Sequence, residues 1–167
     1  MRVVGVDPGL NRTGYGVISI DKGLPTYIGS GIVSGGDNSY SLGQRLKRIY
    51  DGVAEVANSY QPEAIALEEL YLRRIPVASV VSLAHARGVI VLAAQELGLE
   101  VFHYTSSQVK TMVVGPVRAT KDQVRKMVQI RLGIELPHGP VDVSDALAVA
   151  ICHCSMAHTP LSRYGSP

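Results

Sequence analysis

The chain has 167 residues, the length of a single domain, and 46% of them are hydrophobic while 18% are charged, which leaves a net charge of only +2. This composition excludes a disordered chain and a collagen-like repeat, and a count of only two cysteines excludes a scaffold held by disulfides. The chain also lacks an uninterrupted apolar run of about 18 residues and a secretory signal at its start, so we expect a soluble, cytoplasmic protein without membrane contact.

Hydrophobic periodicity predicts a series of strands and helices along the chain. The second and third strands form a hairpin because only a short loop separates them, and Gly29 and Gly31 inside the third strand suggest a bulge or a close approach. The first helix follows a capping pair, Ser41 and Gln44. The predicted strands are Arg2–Val6, Tyr15–Ile20, Leu24–Val33, Ala64–Leu67 and Glu100–Tyr104. The predicted helices are Ser41–Ser59, Val77–Leu97, a segment from Ser106 or Ser107 to Gly115, Thr120–Leu132 and Val143–Ala157.

The order of these elements predicts an α/β fold. An antiparallel hairpin precedes parallel strands that helical crossovers connect, which gives one mixed, five-stranded sheet flanked by helices. No internal repeat or linker divides the chain, so we expect one domain over residues 1–158. The polar tail, residues 159–167, is rich in Pro, Gly and Ser, and we expect it to be flexible.

Four acidic residues stand out because their neighbours are apolar. Asp7 and Glu68 each follow a predicted strand, and Asp142 and Asp145 lie three positions apart at the start of the last helix. That spacing places Asp142 and Asp145 on one helix face, and strand ends in open α/β sheets are where ligand sites gather. Side chains alternate along a strand, so Glu69 is expected to point away from the site that contains Glu68.

Carboxylates that converge repel one another unless cations lie between them. Mg²⁺ and Mn²⁺ prefer oxygen ligands, and two such ions about 3.5–4 Å apart can assist the hydrolysis of a phosphodiester. Each acid taken alone also has a simpler explanation, since Asp142 and Asp145 suit a helix N-terminus and Asp7 suits an Asp-Pro-Gly turn. From the residues alone, both interpretations stay open.

Basic residues are concentrated in one part of the chain. Residues 73–131 carry nine Lys or Arg against three Asp or Glu, whereas the remainder carries seven bases and eleven acids. Such a surface beside carboxylates suits a polyanionic partner, although solvated helix faces and ordinary loops explain the charges equally well. The candidates for nucleic-acid contact are Tyr71, Arg73 and Arg74 in one loop, and Arg118, Lys121 and Arg125 around one predicted helix.

Four motifs occur in order along the chain, namely VGVDPGLNRTGYGV, ALEELY, QVKTMVVG and DVSDALAVAICH. Together they resemble the RuvC family of bacterial Holliday-junction resolvases. The resemblance extends from about residue 2 to residue 158. An Asp-Pro-Gly turn alone would be weak evidence, but the full set at this spacing is strongly specific.

The resemblance implies a ribonuclease H-like fold and an endonuclease that acts in homologous recombination and DNA repair. It implies a homodimer that cuts four-way DNA junctions by paired, symmetric nicks and leaves 5′-phosphate and 3′-hydroxyl ends. It also implies Mg²⁺ or Mn²⁺ as cofactor, with two ions in each active site. The implied partners are the branch-migration proteins RuvA and RuvB.

The resemblance also assigns roles to individual residues. Asp7 and Glu68 match the first and second catalytic acids of the family, and Asp142 and Asp145 match the final pair. All four are implied to be metal ligands, although some relatives have His at the position of Asp142. Glu69 stands where the best-known relative has Gln.

Three further positions match DNA-contacting residues of the family. Tyr71 aligns with an aromatic residue that stacks on a junction base, a contact worth ~1–3 kcal/mol. Lys110 and Lys121 align with basic residues that are implied to hold phosphate.

Two other features have structural interpretations. Residues two apart on a helix point about 200° away from each other, so Cys152 and Cys154 cannot bind one ion, and we expect them, with His153, in the core. The predicted helix Val77–Leu97 is apolar around most of its circumference. It is therefore either fully buried or packed against a second copy of the chain.

Three other functions compete with the resolvase hypothesis. A nucleotide-binding protein of the actin or sugar-kinase type also begins with a strand and an Asp, but it needs a second lobe that 167 residues cannot supply. A non-catalytic junction-binding module would be expected to lack at least one of the four acids. A ribonuclease H-like nuclease that acts on another nucleic acid, such as RNA, would keep the same carboxylates.

Overall fold

A computed structural model of the chain describes residues 1–69, 76–116, 118–136 and 141–157. Within these ranges it contains five strands and five helices. The strands are β1 (Arg2–Asp7), β2 (Arg12–Asp21), β3 (Leu24–Ser34), β4 (Ala64–Glu68) and β5 (Glu100–Tyr104). The helices are α1 (Leu42–Tyr60), α2 (Val77–Glu96), α3 (Ser106–Val114), α4 (Lys121–Leu132) and α5 (Val141–Ala157). The expected tail, residues 159–167, lies outside the described residues.

All five strands join one mixed sheet in the order β3-β2-β1-β4-β5. The hairpin partners β2 and β3 are antiparallel, as are β1 and β2, whereas β4 is parallel to both β1 and β5. The predicted α/β class and mixed five-stranded sheet are confirmed. Parallel pairing of β1, β4 and β5 brings the carboxyl ends of three strands to one edge of the sheet.

Turn and cap residues explain where several elements begin and end. Lys22 and Gly23 both have positive φ, which closes the β2–β3 hairpin in the primed type of turn that matches strand twist. The register of this hairpin shifts so that Ile28 has no partner, which confirms the predicted bulge beside Gly29. Capping boxes begin three of the helices, α1 at Ser41, α3 at Thr105 and α4 at Thr120.

The sheet separates two hydrophobic clusters. On one face, Val3 and Ala66 pack with Leu147 and Ile151 of α5, together with parts of α3 and α4. On the other face, the alternate strand residues pack against α1 and α2. This alternation follows from the pleat of the strands, and it places Asp7 and Glu68 on the α5 face.

Helix α5 lies directly on β1 because glycine leaves room for it. A Cβ atom added at Gly5 would stand 2.1 Å from the carbonyl oxygen of Ala146 and 2.6 Å from the amide nitrogen of Ala150. The helix begins at Val141, two residues earlier than predicted, so Asp142 belongs to its first turn. The expected core placement of Cys152, His153 and Cys154 is confirmed, since all three are buried.

Helix α2 is only partly covered. It buries Ala86, Ile90, Ala93 and Ala94, whereas Val77, Val81 and Leu92 are 78%, 47% and 52% exposed. Of the two interpretations that the sequence allowed, full burial is therefore wrong. In the described part of the chain, α2 is also the one helix long and apolar enough to span a membrane, a criterion of length and composition that is weak evidence by itself.

Candidate active site

The first two acids are brought together by strand pairing. Val6 of β1 lies opposite Leu67 of β4 in parallel register, so Asp7 and Glu68 end neighbouring strands side by side. Each is preceded by apolar residues that anchor its strand in the core, and the carboxyl groups emerge where the strands stop. Helix α5 crosses the same face and adds Asp145 from its second turn.

These three acids share one cleft of about 340 Å³ with two lysines. Asp7, Glu68 and Asp145 line it together with Lys110 of α3 and Lys121 of α4. The cleft therefore draws its charged groups from two strands and three helices that are far apart in sequence. Its remaining lining residues are Pro8, Glu69, Leu83, Ser106, Val109, Val124 and Ala148.

Asp7 has the most strongly perturbed carboxyl group of the site. Burial is the main cause that raises its pKa from 3.8 to about 7, and the negative charges of Asp145, Glu68 and Asp142 raise it further. Lys121 acts in the opposite direction but does not cancel the effect. The carboxylates of Asp145, Glu68 and Asp142 thus all interact electrostatically with Asp7.

The pKa of Glu68 is raised as well, although by less than that of Asp7. Burial raises its pKa, a hydrogen bond with the Ser106 side chain lowers it, and Asp145 raises it again. Lys121 and Lys110 both favour the charged form. Ser106 was missed as a site residue in the sequence, because a serine at a helix start is more often a capping residue.

Lys121 forms an ion pair with one of the acids. Its Nζ lies 2.9 Å from an Oδ atom of Asp145, and this hydrogen bond is the main cause that raises the pKa of the lysine. A cation of the protein itself therefore offsets part of the negative charge in the cleft. The pairing depends on the approach of α4 to α5, so sequence spacing did not reveal it.

Asp142 is placed differently from the other three acids. It does not line the cleft, and its Oδ2 lies 3.4 Å from Nε of Arg12 at the start of β2. Gly14 allows this close approach, since a Cβ atom there would stand 2.3 Å from the Asp142 carbonyl oxygen. The charge of Asp142 nevertheless reaches Asp7. Arg12 is a second residue that the sequence analysis did not single out.

The other predicted DNA-contact residues are distributed unevenly. Arg118 is exposed just before α4 but does not line the cleft. Arg125 is half-buried, donates a hydrogen bond of 3.0 Å to the Leu136 carbonyl and lines a separate cavity beside Tyr27. The loop residues Tyr71, Arg73 and Arg74 lie outside the described residues.

Glu69 follows Glu68 directly after the end of β4. Strand alternation predicts that its side chain points away from the site, and the residue borders the same cleft as Glu68. Burial lowers the pKa of Arg87 and of His103, and the negative charge of Glu69 opposes this lowering in both groups.

Carboxylate oxygens are the ligands that hard divalent cations prefer, although the four acids are not arranged as a preformed metal site in this structure. Among the residues that the structure describes, no three His, Cys, Asp or Glu side chains stand close enough together to hold an ion as placed. Two of the acids are paired with side-chain cations of the protein, Asp145 with Lys121 and Asp142 with Arg12. Burial and, after it, the negative charges of Asp145, Glu68 and Asp142 raise the pKa of Asp7, and a bound cation would favour the ionised form of all four acids.

Comparison with known proteins gives the family. The family model of the crossover junction endodeoxyribonuclease RuvC matches residues 3–153. A protein of that description from Ehrlichia canis is 41% identical over 153 residues, which cover 92% of this chain and 96% of the relative. One from Bordetella avium is 45% identical over 168 residues, which cover 100% of this chain and 90% of the relative.

Solved structures agree with this match. The RuvC of Thermus thermophilus in complex with a Holliday junction substrate superposes with a TM-score of 0.87 at 32% identity, over 94% of each chain. The yeast mitochondrial Holliday junction resolvase, at 9% identity and a TM-score of 0.64, shares the fold. By both sequence and fold, the chain belongs to the RuvC family of crossover junction endodeoxyribonucleases.

Proposed function

We propose that this chain is a metal-dependent endonuclease that resolves four-way DNA junctions by hydrolysing phosphodiester bonds. The observation that carries the proposal is the convergence of Asp7, Glu68 and Asp145 in one cleft with Lys110 and Lys121. Acids suit the reaction chemistry, and lysines beside them suit a phosphate backbone. The similar Thermus thermophilus protein is known in complex with a Holliday junction, which supports the same substrate here.

Asp7, Glu68, Asp142 and Asp145 are the residues that would hold two divalent cations, Mg²⁺ or Mn²⁺. Such ions, when bound, activate a water molecule and stabilise the departing oxygen. For this role, Lys121 has to leave Asp145 and Arg12 has to leave Asp142, since each acid is otherwise paired. The side chains of Lys121 and Arg12 are then available to bind phosphate groups of the DNA.

The protein's own residues prepare the site in two ways. Partial burial of Asp7 lowers the effective dielectric constant around its carboxyl group and so strengthens the electrostatic interactions of that group. The pKa of about 7 means that Asp7 shares a proton with solvent near neutrality in the protein alone, and positive charge nearby favours its ionised form. The side chain of Ser106 favours the ionised form of Glu68 and so opposes the rise in the pKa of that carboxyl group.

DNA contacts are proposed on both sides of the cleft. Lys110 and Lys121 would hold phosphate next to the acids, and exposed Arg118 would extend this basic surface. Tyr71 would stack on a base, with Arg73 and Arg74 beside it. Arg125 is retained as a weaker candidate, because its hydrogen bond to Leu136 gives it a structural role.

A homodimer is proposed from the exposed face of α2. Val77, Val81 and Leu92 present apolar side chains to solvent, and the exposed small residues Ala84 and Gly88 between them permit close approach of a second helix. A two-fold dimer would bring two clefts to two symmetry-related strands, as paired nicking requires. RuvA and RuvB as partners, and the cytoplasm as location, remain proposals that rest on the family resemblance.

The test compares a synthetic four-way junction with a linear duplex and with an RNA duplex of matched sequence. We expect paired nicks in the junction with Mg²⁺ or Mn²⁺ and none with a chelator. Asp7→Asn should abolish nicking while junction binding persists. Metal-independent nicking, preference for RNA, or full activity of Asp7→Asn would contradict the proposal.

A further inference from the structure

Arg87 of α2 reaches the end of β4 from the face of the sheet opposite α5. One of its terminal nitrogens donates a hydrogen bond to the backbone carbonyl of Glu68, and the other lies 2.6 Å from Nδ1 of His103 on β5. A guanidinium can only donate, so the ring nitrogen of His103 is the acceptor in this pair. The planar side chain thus bridges the last residue of β4 and the next-to-last residue of the parallel strand β5.

The peptide unit between Glu68 and Glu69 is held at both of its polar groups. Arg87 binds the carbonyl of Glu68, and the amide of Glu69 donates a 2.7 Å hydrogen bond to the carbonyl of Tyr104. Holding both groups sets the plane of this peptide, and with it the direction in which the Glu68 side chain leaves the backbone. Because β4 ends here, the regular sheet pairing by itself would not provide the contact to this carbonyl.

The energetic setting of Arg87 argues against a role in packing alone. The guanidinium is half-buried, and no carboxylate of the described residues lies within ion-pair distance of it. Burial accordingly lowers the pKa of Arg87, and the more distant charge of Glu69 compensates only in part. A buried cation with neutral acceptors costs free energy that an apolar residue would avoid.

We infer that Arg87 is a positioning residue that holds the end of β4, and therefore the Glu68 carboxylate, in the orientation needed for metal binding in the cleft. This inference rests on the proposed function of the same site. Arg87 acts through the backbone of Glu68 and through His103, without contact to the reacting atoms. It also links the catalytic edge of the sheet to α2, whose opposite side carries the proposed dimer face.

The test measures Arg87→Met and Arg87→Lys in the full-length protein. Lysine donates from a single point and cannot reproduce the two-pronged contact, so it should restore function only in part. Arg48→Met is the matched control, because Arg48 is exposed on α1 and also donates to a backbone carbonyl, that of Ser34. The measurements are Mn²⁺ affinity by electron paramagnetic resonance without DNA, the single-turnover nicking rate, and junction binding in chelator.

We expect Arg87→Met to weaken Mn²⁺ binding and to slow nicking by about 10-fold or more, the range seen when groups that orient metal ligands are removed. Junction binding in chelator should stay within about twofold, and Arg48→Met should match the wild type in every measurement. If Arg87→Met does not unfold cooperatively and so is not properly folded, the same measurements on Arg87→Lys and His103→Ala test the positioning role of Arg87.

Wild-type Mn²⁺ affinity and nicking in a folded Arg87 variant would overturn the inference. A parallel loss of junction binding in chelator would also overturn it, because a general structural role would then explain the defect. Failure of the wild type to nick junctions would refute the proposed function instead. In that case the Mn²⁺ affinity still decides the role of Arg87.

Discussion

Asp7 lies among three other carboxylates, and its ionisation is the clearest consequence of the fold at the scale of one residue. Its pKa rises from 3.8 to about 7, so the folded chain binds more protons than the unfolded chain between these values. By linkage, the free energy of unfolding then falls as the pH rises through this window. The destabilisation of the folded state by Asp7 is greatest above pH 7, where Asp7 is ionised in both the folded and the unfolded chain.

Asp7→Asn should therefore stabilise the protein in the absence of divalent cations. We expect a gain of up to about 4 kcal/mol at pH 8 in chelator, which declines toward zero near pH 4. Urea denaturation across this pH range measures the gain. The control is Asp51→Asn at an exposed ion pair with Lys47, which should change little. A variant less stable than the wild type at pH 8 would contradict the electrostatic assignment.

Lys121 provides a second prediction for a single residue. Its ion pair with Asp145 shows that it can approach the acids, and we expect it to contact phosphate when DNA binds. Lys121→Ala should weaken junction binding in chelator and reduce the slope of log affinity against log salt by about 0.9. Lys126→Ala, an exposed lysine on the same helix that does not line the cleft, is the control. An unchanged salt slope would remove Lys121 from the phosphate contacts.

At the scale of elements, the contact between β1 and α5 determines whether the acids meet. Asp7 belongs to the strand and Asp145 to the helix, and at Gly5 the backbone of the strand lies directly against the helix backbone at Ala146 and Ala150. A side chain at that position has no space, because the atoms it would meet belong to the helix backbone. The helix would then have to move away from the sheet and carry Asp145 with it.

Gly5→Ala tests this contact. We expect a loss of about 1–3 kcal/mol in the free energy of unfolding, the usual cost of overpacking, together with a large loss of nicking. Gly43→Ala on α1 is the matched control, since a Cβ atom there meets nothing within 4 Å. Chemical denaturation and single-turnover nicking are the measurements. Wild-type stability and activity in Gly5→Ala would show that α5 adjusts without disturbing the acids.

At the scale of the whole molecule, the exposed face of α2 is the proposed dimer interface. The double variant Val81→Glu and Leu92→Glu places two charges in the proposed interface and should convert the dimer into a monomer. Sedimentation equilibrium measures the mass, and nicking of a labelled junction should change from paired cuts to unpaired ones. Ile130→Glu is the control, because Ile130 on α4 is 61% exposed but belongs to another surface.

A monomeric wild type at micromolar concentration would contradict the dimer proposal, and so would a double variant that keeps the mass of a dimer. Paired nicking by a proven monomer would contradict the link between assembly and symmetry. This experiment tests only the role of α2. The roles of Asp7, Glu68 and Asp145 are tested by the single-residue variants.

Much of the architecture could be predicted from local patterns. The strand Glu100–Tyr104 was predicted at its observed bounds, and the capping pair Ser41 and Gln44 marks the observed start of α1. Periodicity and capping depend on neighbours within a few positions, so a sequence displays them directly. The motifs that carry the family resemblance also lie in short segments, which is why family and fold were correctly predicted.

The sequence by itself determined most of the elements, the fold class and the family, and it predicted four candidate acids. The tertiary structure decided which of these groups meet, because contacts between distant segments leave no periodic trace. Only the fold shows that Lys121 binds Asp145, that Arg12 binds Asp142 and that Arg87 holds the carbonyl of Glu68. Burial, and with it the pKa of Asp7, likewise depends on how strands and helices close around a side chain.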